Sequence, residues 1–181
     1  MSKEFQNRRS LLKAGAAGVA VTAASGLTGC AATQSANAPA KKIGRVIVIG
    51  GGYGGATAAK YINEWSGGAI EVYLIDRERQ FVSCPISNLV LGGSQKMETI
   101  THSYAKLRER GIIVLNDEVT AIDSAKKRIS LKKIADLDYD RLVVSPGIDF
   151  NFQAIAGLDD EAQKTILHSW KAGPQTVALK A

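Results

Sequence analysis

An apolar run, Val46-Ile47-Val48-Ile49, leads directly into Gly50-Gly51-Gly52-Tyr53-Gly54-Gly55, and no other stretch limits the possible folds of this chain as tightly. Consecutive β-branched residues suit a short strand buried on both faces. Gly50, Gly52 and Gly55 fill the glycine positions of G-x-G-x-x-G. They serve, in order, a tight turn, a close approach of backbone to a diphosphate, and close helix–strand packing. Beyond them Ala58, Ile62 and Trp65 recur at helical spacing, which predicts a helix with that face on the sheet. The amino end of such a helix offers unpaired N–H groups and a partial positive charge to an anion. Ser66-Gly67-Gly68 ends the helix, and residues 70–75 (IEVYLI) make a second strand with Asp76 at its carboxyl end. An acid there hydrogen-bonds the ribose hydroxyls of an adenosine. Strand, glycines, helix, strand and acid in this order describe a dinucleotide-binding βαβ unit. Arg77 would favour a 2′-phosphate, but Glu78 follows it, and a solvated arginine is the expectation.

Further along, Met97, Ile100, Tyr104 and Leu107 predict a helix stopped at Gly111. Residues 112–115 (IIVL) read as another buried parallel strand. Residues 119–122 and 128–131 alternate and predict a hairpin. Residues 140–144 (DRLVV) form a strand closed by a sharp turn at Ser145-Pro146-Gly147. The expected fold is α/β: a Rossmann-like FAD-binding domain over residues 44–150, with a doubly wound, mostly parallel sheet and a small antiparallel appendage. Residues 151–181 open a following segment. Pro174 suits a first helical position, yet only seven residues follow it. So short a helix is marginal alone, and the sequence therefore reads as the amino-terminal part of a longer protein, incomplete at its carboxyl end.

The 181 residues carry a net charge of +6, and half of that surplus lies in residues 1–30, where Lys3, Arg8, Arg9 and Lys13 face only Glu4. What remains is too mild and too evenly spread to indicate nucleic acid as a partner. Residues 1–13 are polar and basic, and residues 14–28 are an uncharged run of mostly Ala, Gly and Val. That arrangement reads as an export signal, too short and too weakly apolar for a membrane span. Within it, Asn7-Arg8-Arg9-Ser10-Leu11-Leu12-Lys13 resembles a twin-arginine signal. Leu27-Thr28-Gly29-Cys30 resembles a lipobox, which would make Cys30 a lipidated first residue and a membrane tether; ordinary cleavage near Ala38 or Ala40 is the alternative. Residues 31–43 then form a flexible linker. The expected location is the periplasm or another extracytoplasmic space. The twin-arginine route carries proteins already folded, which favours a retained flavin over a freely exchanging nicotinamide.

Several stretches together resemble the flavoprotein subunit of flavocytochrome c sulfide dehydrogenase. They are residues 46–61 (VIVIGGGYGGATAAKY), Ser83-Cys84-Pro85-Ile86-Ser87-Asn88 with Gly92-Gly93, residues 139–147 (YDRLVVSPG), and His168-Ser169-Trp170-Lys171-Ala172-Gly173. The resemblance implies FAD bonded through the sulfur of Cys84 to its 8α-methyl. It implies pyrophosphate on Gly50, Gly51, Gly52, Tyr53, Gly54 and Gly55, ribose on Asp76, the adenine edge on the Val119 backbone, and Pro146 and Gly147 along the cofactor. It further implies sulfide as substrate and a c-type cytochrome subunit as electron acceptor. The family's redox-active cysteine pair and its late Gly-Asp segment have no counterpart in these residues, so no catalytic residue is expected here. A sulfide:quinone or other flavin disulfide-reductase-like enzyme is the alternative. A truncated FAD-binding module without turnover is another.

Taken alone, Cys84 reads as a small buried apolar residue. In an oxidising compartment it reads instead as a thiol needing a covalent partner, with a Cys30–Cys84 disulfide open only if Cys30 is unlipidated. His102 is expected on the surface of its helix and His168 in a packing role. No histidines or carboxylates have metal-ligand spacing. Lys126-Lys127-Arg128 and Lys132-Lys133 read as a solvated face of the hairpin.

Overall fold

A computed structural model describes residues 41–180. The twin-arginine-like leader, Cys30 and most of the linker lie outside the described residues. In chain order the first elements are β1 (Gly44–Ile49), α1 (Tyr53–Trp65), β2 (Ile70–Asp76), β3 (Gln80–Val82), α2 (Asn88–Leu91), β4 (Thr101–Ser103) and α3 (Ala105–Glu109). They are followed by β5 (Ile113–Asn116), β6 (Val119–Asp123), β7 (Arg128–Leu131), β8 (Leu137–Asp138), β9 (Arg141–Val144), α4 (Ala162–Thr165) and α5 (Pro174–Lys180). Among the described residues no helix is long and apolar enough to cross a membrane.

Four parallel strands in the order β5-β2-β1-β9 make the central sheet. Ile49 of β1 pairs with both Ile75 and Val144, so three strands end at one level and their loops rise together. Side chains alternate across the sheet. Val46, Val48, Val72 and Leu74 face α1 and pack with Ala59, Tyr104 and Ile112. Ile47 and Ile75 face the opposite way and pack against Ile129 and Leu131 of the antiparallel sheet β6-β7-β8. The fold is thus α/β with a parallel sheet and small antiparallel sheets, as expected, helices covering one face and the antiparallel sheet the other.

Several local expectations are corrected. α1 turns Gly55, Ala59 and Ile62 to the sheet rather than Ala58, Ile62 and Trp65, and Trp65 is 81% exposed. The close contact of Gly55 with the Gly50 carbonyl fixes the rotation of the helix, and Trp65 stacks instead on Tyr61 at 5.0 Å. The helix expected from Met97 to Leu107 is interrupted. Met97–Ile100 is a 3₁₀ turn, Thr101–Ser103 pairs as β4 with β3, and only α3 is helical. The reason is tertiary: Ile100 and Tyr104 are both buried, and Phe81 and Val82 require a strand partner. His102 therefore lies opposite Phe81 on an exposed strand position, not on a helix. β5 is an edge strand with Ile113 partly exposed, rather than buried on both faces. Gly111 does stop α3, with φ +86° and an N–H donated to the Arg108 carbonyl.

Candidate functional site

The loops leaving β1, β2 and β9 converge because their strands end together. Gly50 sits at φ +94° and donates its N–H to the Ile75 carbonyl at 2.8 Å. A Cβ there would lie 2.0 Å from the Ser145 carbonyl oxygen, so the glycine is what lets these loops touch. A Cβ on Gly55 would lie 1.8 Å from the Gly50 oxygen, which makes its role helix–strand packing. Gly52 differs. Its φ of −66° suits any residue, and a Cβ would meet nothing nearer than the Phe81 ring at 3.8 Å. What Gly52 provides is open space in front of the first turn of α1. That turn has no side-chain cap and no acidic residue, so its N–H groups and dipole are left for a ligand.

Asp76 ends β2 beside this turn. Its Oδ2 accepts from the Gly51 N–H and from the Tyr104 hydroxyl at 3.2 Å, and its Oδ1 accepts from the Glu78 N–H at 2.7 Å. The carboxylate expected to meet a ribose thus also holds the glycine loop in place, and its remaining lone pairs can still accept from a ligand. Burial, with the charge of Asp76 and the hydrogen bond to it, holds the Tyr104 hydroxyl well above the usual tyrosine pKa.

Two clefts open at these strand ends. One, of about 300 Å³, is lined by Gly50, Asp76, Asp117, Val119 and Gly147 among others. The second, of about 470 Å³, includes Gly52, Asp76, Cys84, Tyr104 and Lys171. They share Asp76, Arg77, Pro146, Gly147 and Ile148 and so form one groove from Val119 to Cys84. A groove at the carboxyl ends of parallel strands, where the strand order reverses at β1, is where open α/β sheets bind ligands. Of the expected cofactor-binding residues, Gly50, Gly52, Asp76, Cys84, Val119, Pro146 and Gly147 line it. Gly51 lies buried against Asp76, and Gly55 against the strand. Gly54 is exposed. The Tyr53 side chain turns into another cavity with Lys60 and His102, its hydroxyl paired with Ser83.

Cys84 begins a 3₁₀ turn, is half-buried, and donates its thiol to the Trp170 carbonyl at 3.0 Å. That bond ties the far end of the groove to the segment before α5. His168 packs among Phe150, Phe152 and Trp170, with its Nδ1 buried and unpartnered. Asp117 escaped the sequence reading. It is buried and accepts N–H groups from Glu118, Lys133 and Ile134, fixing the wall of the groove beside Val119. Burial alone would push its carboxyl up, but these donors together with the Lys133 charge outweigh burial and hold it below the usual carboxylate range. The only signal was an acid in Asn116-Asp117-Glu118 directly after an apolar strand. Arg77 is exposed, as expected, and its guanidinium lies 3.6 Å from Asp149.

An uncapped helix amino end, a glycine opening onto it and an acid at the second strand end fit a dinucleotide, and define a dinucleotide-binding α/β protein. The pyridine nucleotide-disulphide oxidoreductase family matches residues 44–174, and the chain belongs to it. It is 48% identical over 46 residues to the flavoprotein chain of sulfide dehydrogenase (flavocytochrome c) from Chlorobaculum thiosulfatiphilum, covering 25% of this chain and 94% of that sequence. It is 23% identical over 124 residues to the mitochondrial sulfide:quinone oxidoreductase of Dictyostelium discoideum, covering 68% of this chain and 27% of that protein. The crystal structure of the sulfide:quinone oxidoreductase of Aquifex aeolicus shares the fold, with a TM-score of 0.64 and 23% identity over 75% of this chain and 30% of that one. The chain therefore spans between about a quarter and a third of the length of these two oxidoreductases. Family and flavoprotein relative together imply an FAD site.

Proposed function

We infer that this chain forms the nucleotide-binding part, with the flavin attachment point, of an exported FAD-dependent sulfide oxidoreductase that passes electrons to a c-type cytochrome. The observation that carries this reading is a thiol, Cys84, at one end of a groove that holds Val119 at the other and Asp76 where the two clefts join. The sulfide dehydrogenase flavoprotein among the relatives supports the same reading. Bound in the groove, FAD would supply a two-electron acceptor able to release its electrons singly.

The residues of the chain do the rest. The first turn of α1 directs N–H groups at the diphosphate, and Gly52 leaves room for its approach. Asp76 accepts from ribose hydroxyls while holding Gly51 in place, and the Val119 backbone borders the adenine. Cys84 is the thioether attachment point for the 8α-methyl in this reading. Outside the cytoplasm such a bond prevents loss of a cofactor that cannot be replaced, and relative to a plain methyl it raises the flavin's potential. The twin-arginine-like leader and Cys30 supply export and a lipid tether. The likeness to sulfide:quinone oxidoreductases favours a second reading, in which a quinone rather than a cytochrome takes the electrons.

The test is acid precipitation of the purified chain, then peptide mapping by mass. Yellow colour retained on the Cys84 peptide, with the added mass of FAD and loss of both in Cys84→Ser, is the expected result. Release of all colour into the supernatant contradicts the thioether. Cytochrome c reduction by the complete enzyme, sulfide-dependent and quinone-independent, distinguishes the first reading from the second.

A further inference from the structure

Pro146, Gly147 and Ile148 line both clefts, as do Asp76 and Arg77, so this segment borders the groove where its Val119 end meets its Cys84 end. Gly147, at φ +81°, turns the chain sharply, and Ile148 is 85% exposed, so the segment has no apolar anchor of its own. Asp149, the next residue, holds it by charge. Its Oδ2 lies 3.6 Å from Arg77 Nη2 at the end of β2, and its Oδ1 accepts from Lys171 Nζ at 3.0 Å in the segment before α5. Three loops that surround the groove thus meet on one carboxylate. The Lys171 hydrogen bond, the Phe150 N–H and the Lys171 charge hold that carboxylate below its usual pKa, with Arg77 adding to the effect.

We propose that residues 146–149 form a strap over the cofactor groove, and that the Arg77–Asp149–Lys171 cluster is the clasp that keeps the strap closed on a bound dinucleotide. The inference rests on the FAD reading above. A ligand that touches both Val119 and Cys84 crosses the strap, so its admission and escape require the clasp to open. In the absence of the Cys84 bond, the clasp slows cofactor entry and release. Exposed ion pairs shift an equilibrium by no more than about fivefold each, so losing both contacts of Asp149 accelerates release about two- to twentyfold. Because the three side chains are solvent-exposed, the effect is screened by salt.

Asp149 is tested in a Cys84→Ser background, in which the cofactor can exchange. FAD release from the full chain is followed by the return of flavin fluorescence, at about 0.02 M and about 0.5 M salt. Asp149→Ala is expected to release FAD about two- to twentyfold faster at low salt and to lose the salt dependence of the parent, with Asp149→Glu restoring most of both. In the FAD-free chain the same substitution is expected to speed tryptic cleavage after Arg77 and Lys171 several-fold while leaving cleavage after Lys132 unchanged. A parent that binds no FAD overturns the cofactor reading, and cofactor retention with it. A parent that binds FAD, beside an Asp149→Ala variant with the parental release rate and salt response, overturns the clasp alone.

Discussion

The glycines of the β1–α1 loop are not interchangeable, and the differences are physical. Gly50 is required by a left-handed φ and by the carbonyl of Ser145, and Gly55 by the carbonyl of Gly50. Gly52 is required by neither, and in the proposed reading its role is to leave room for the ligand. Asp117 makes a prediction of its own at this scale. Its folded pKa lies below the ordinary carboxylate value of about 3.9. A depressed pKa contributes stability that is complete above the ordinary value and is lost as pH falls through the folded one. Asp117→Asn cannot titrate. The gap in Tm between parent and variant should be widest near neutral pH and close as pH drops below about 4. A gap that stays constant into acid would show that folding does not lower the Asp117 pKa.

At the scale of elements, the strands and glycines of the βαβ unit were legible because their signals are local. Apolar runs and fixed glycine spacing need no distant partner to be read. The β3–β4 pair was not legible: each strand has three residues, and β4 lies inside a stretch with good helical periodicity. Only the pairing of Phe81 with His102, across the sequence between them, reveals it. The face of α1 was misread for a related reason, since Trp65 satisfies the periodicity but a backbone contact at Gly55 sets the rotation. The hairpin β6–β7 was legible, but its packing role was not. Ile129 is fully buried between the antiparallel sheet and the central one. Ile129→Ala is expected to cost about 2–5 kcal/mol of stability in urea denaturation. A loss below about 1 kcal/mol would mean that the antiparallel sheet does not close that face.

For the molecule as a whole, a parallel sheet packed on both faces brings several strand ends to one level, and the groove follows from that. The glycine motif and the family resemblance named Gly52, Asp76 and Cys84, which line one groove, but not the junction of its two clefts, because Pro146, Gly147, Arg77 and Asp149 meet only through long-range strand order. The account stands on a dinucleotide lying against the bare backbone at Gly52. Its most direct test compares the parent and Gly52→Ala by titrating each with FAD and following flavin fluorescence, with Tm measured alongside. The backbone at Gly52 accepts alanine and a Cβ has room in the protein, so Tm should change by no more than about 1–2 °C while FAD affinity falls at least about tenfold. Unchanged affinity in a folded Gly52→Ala protein would contradict the account.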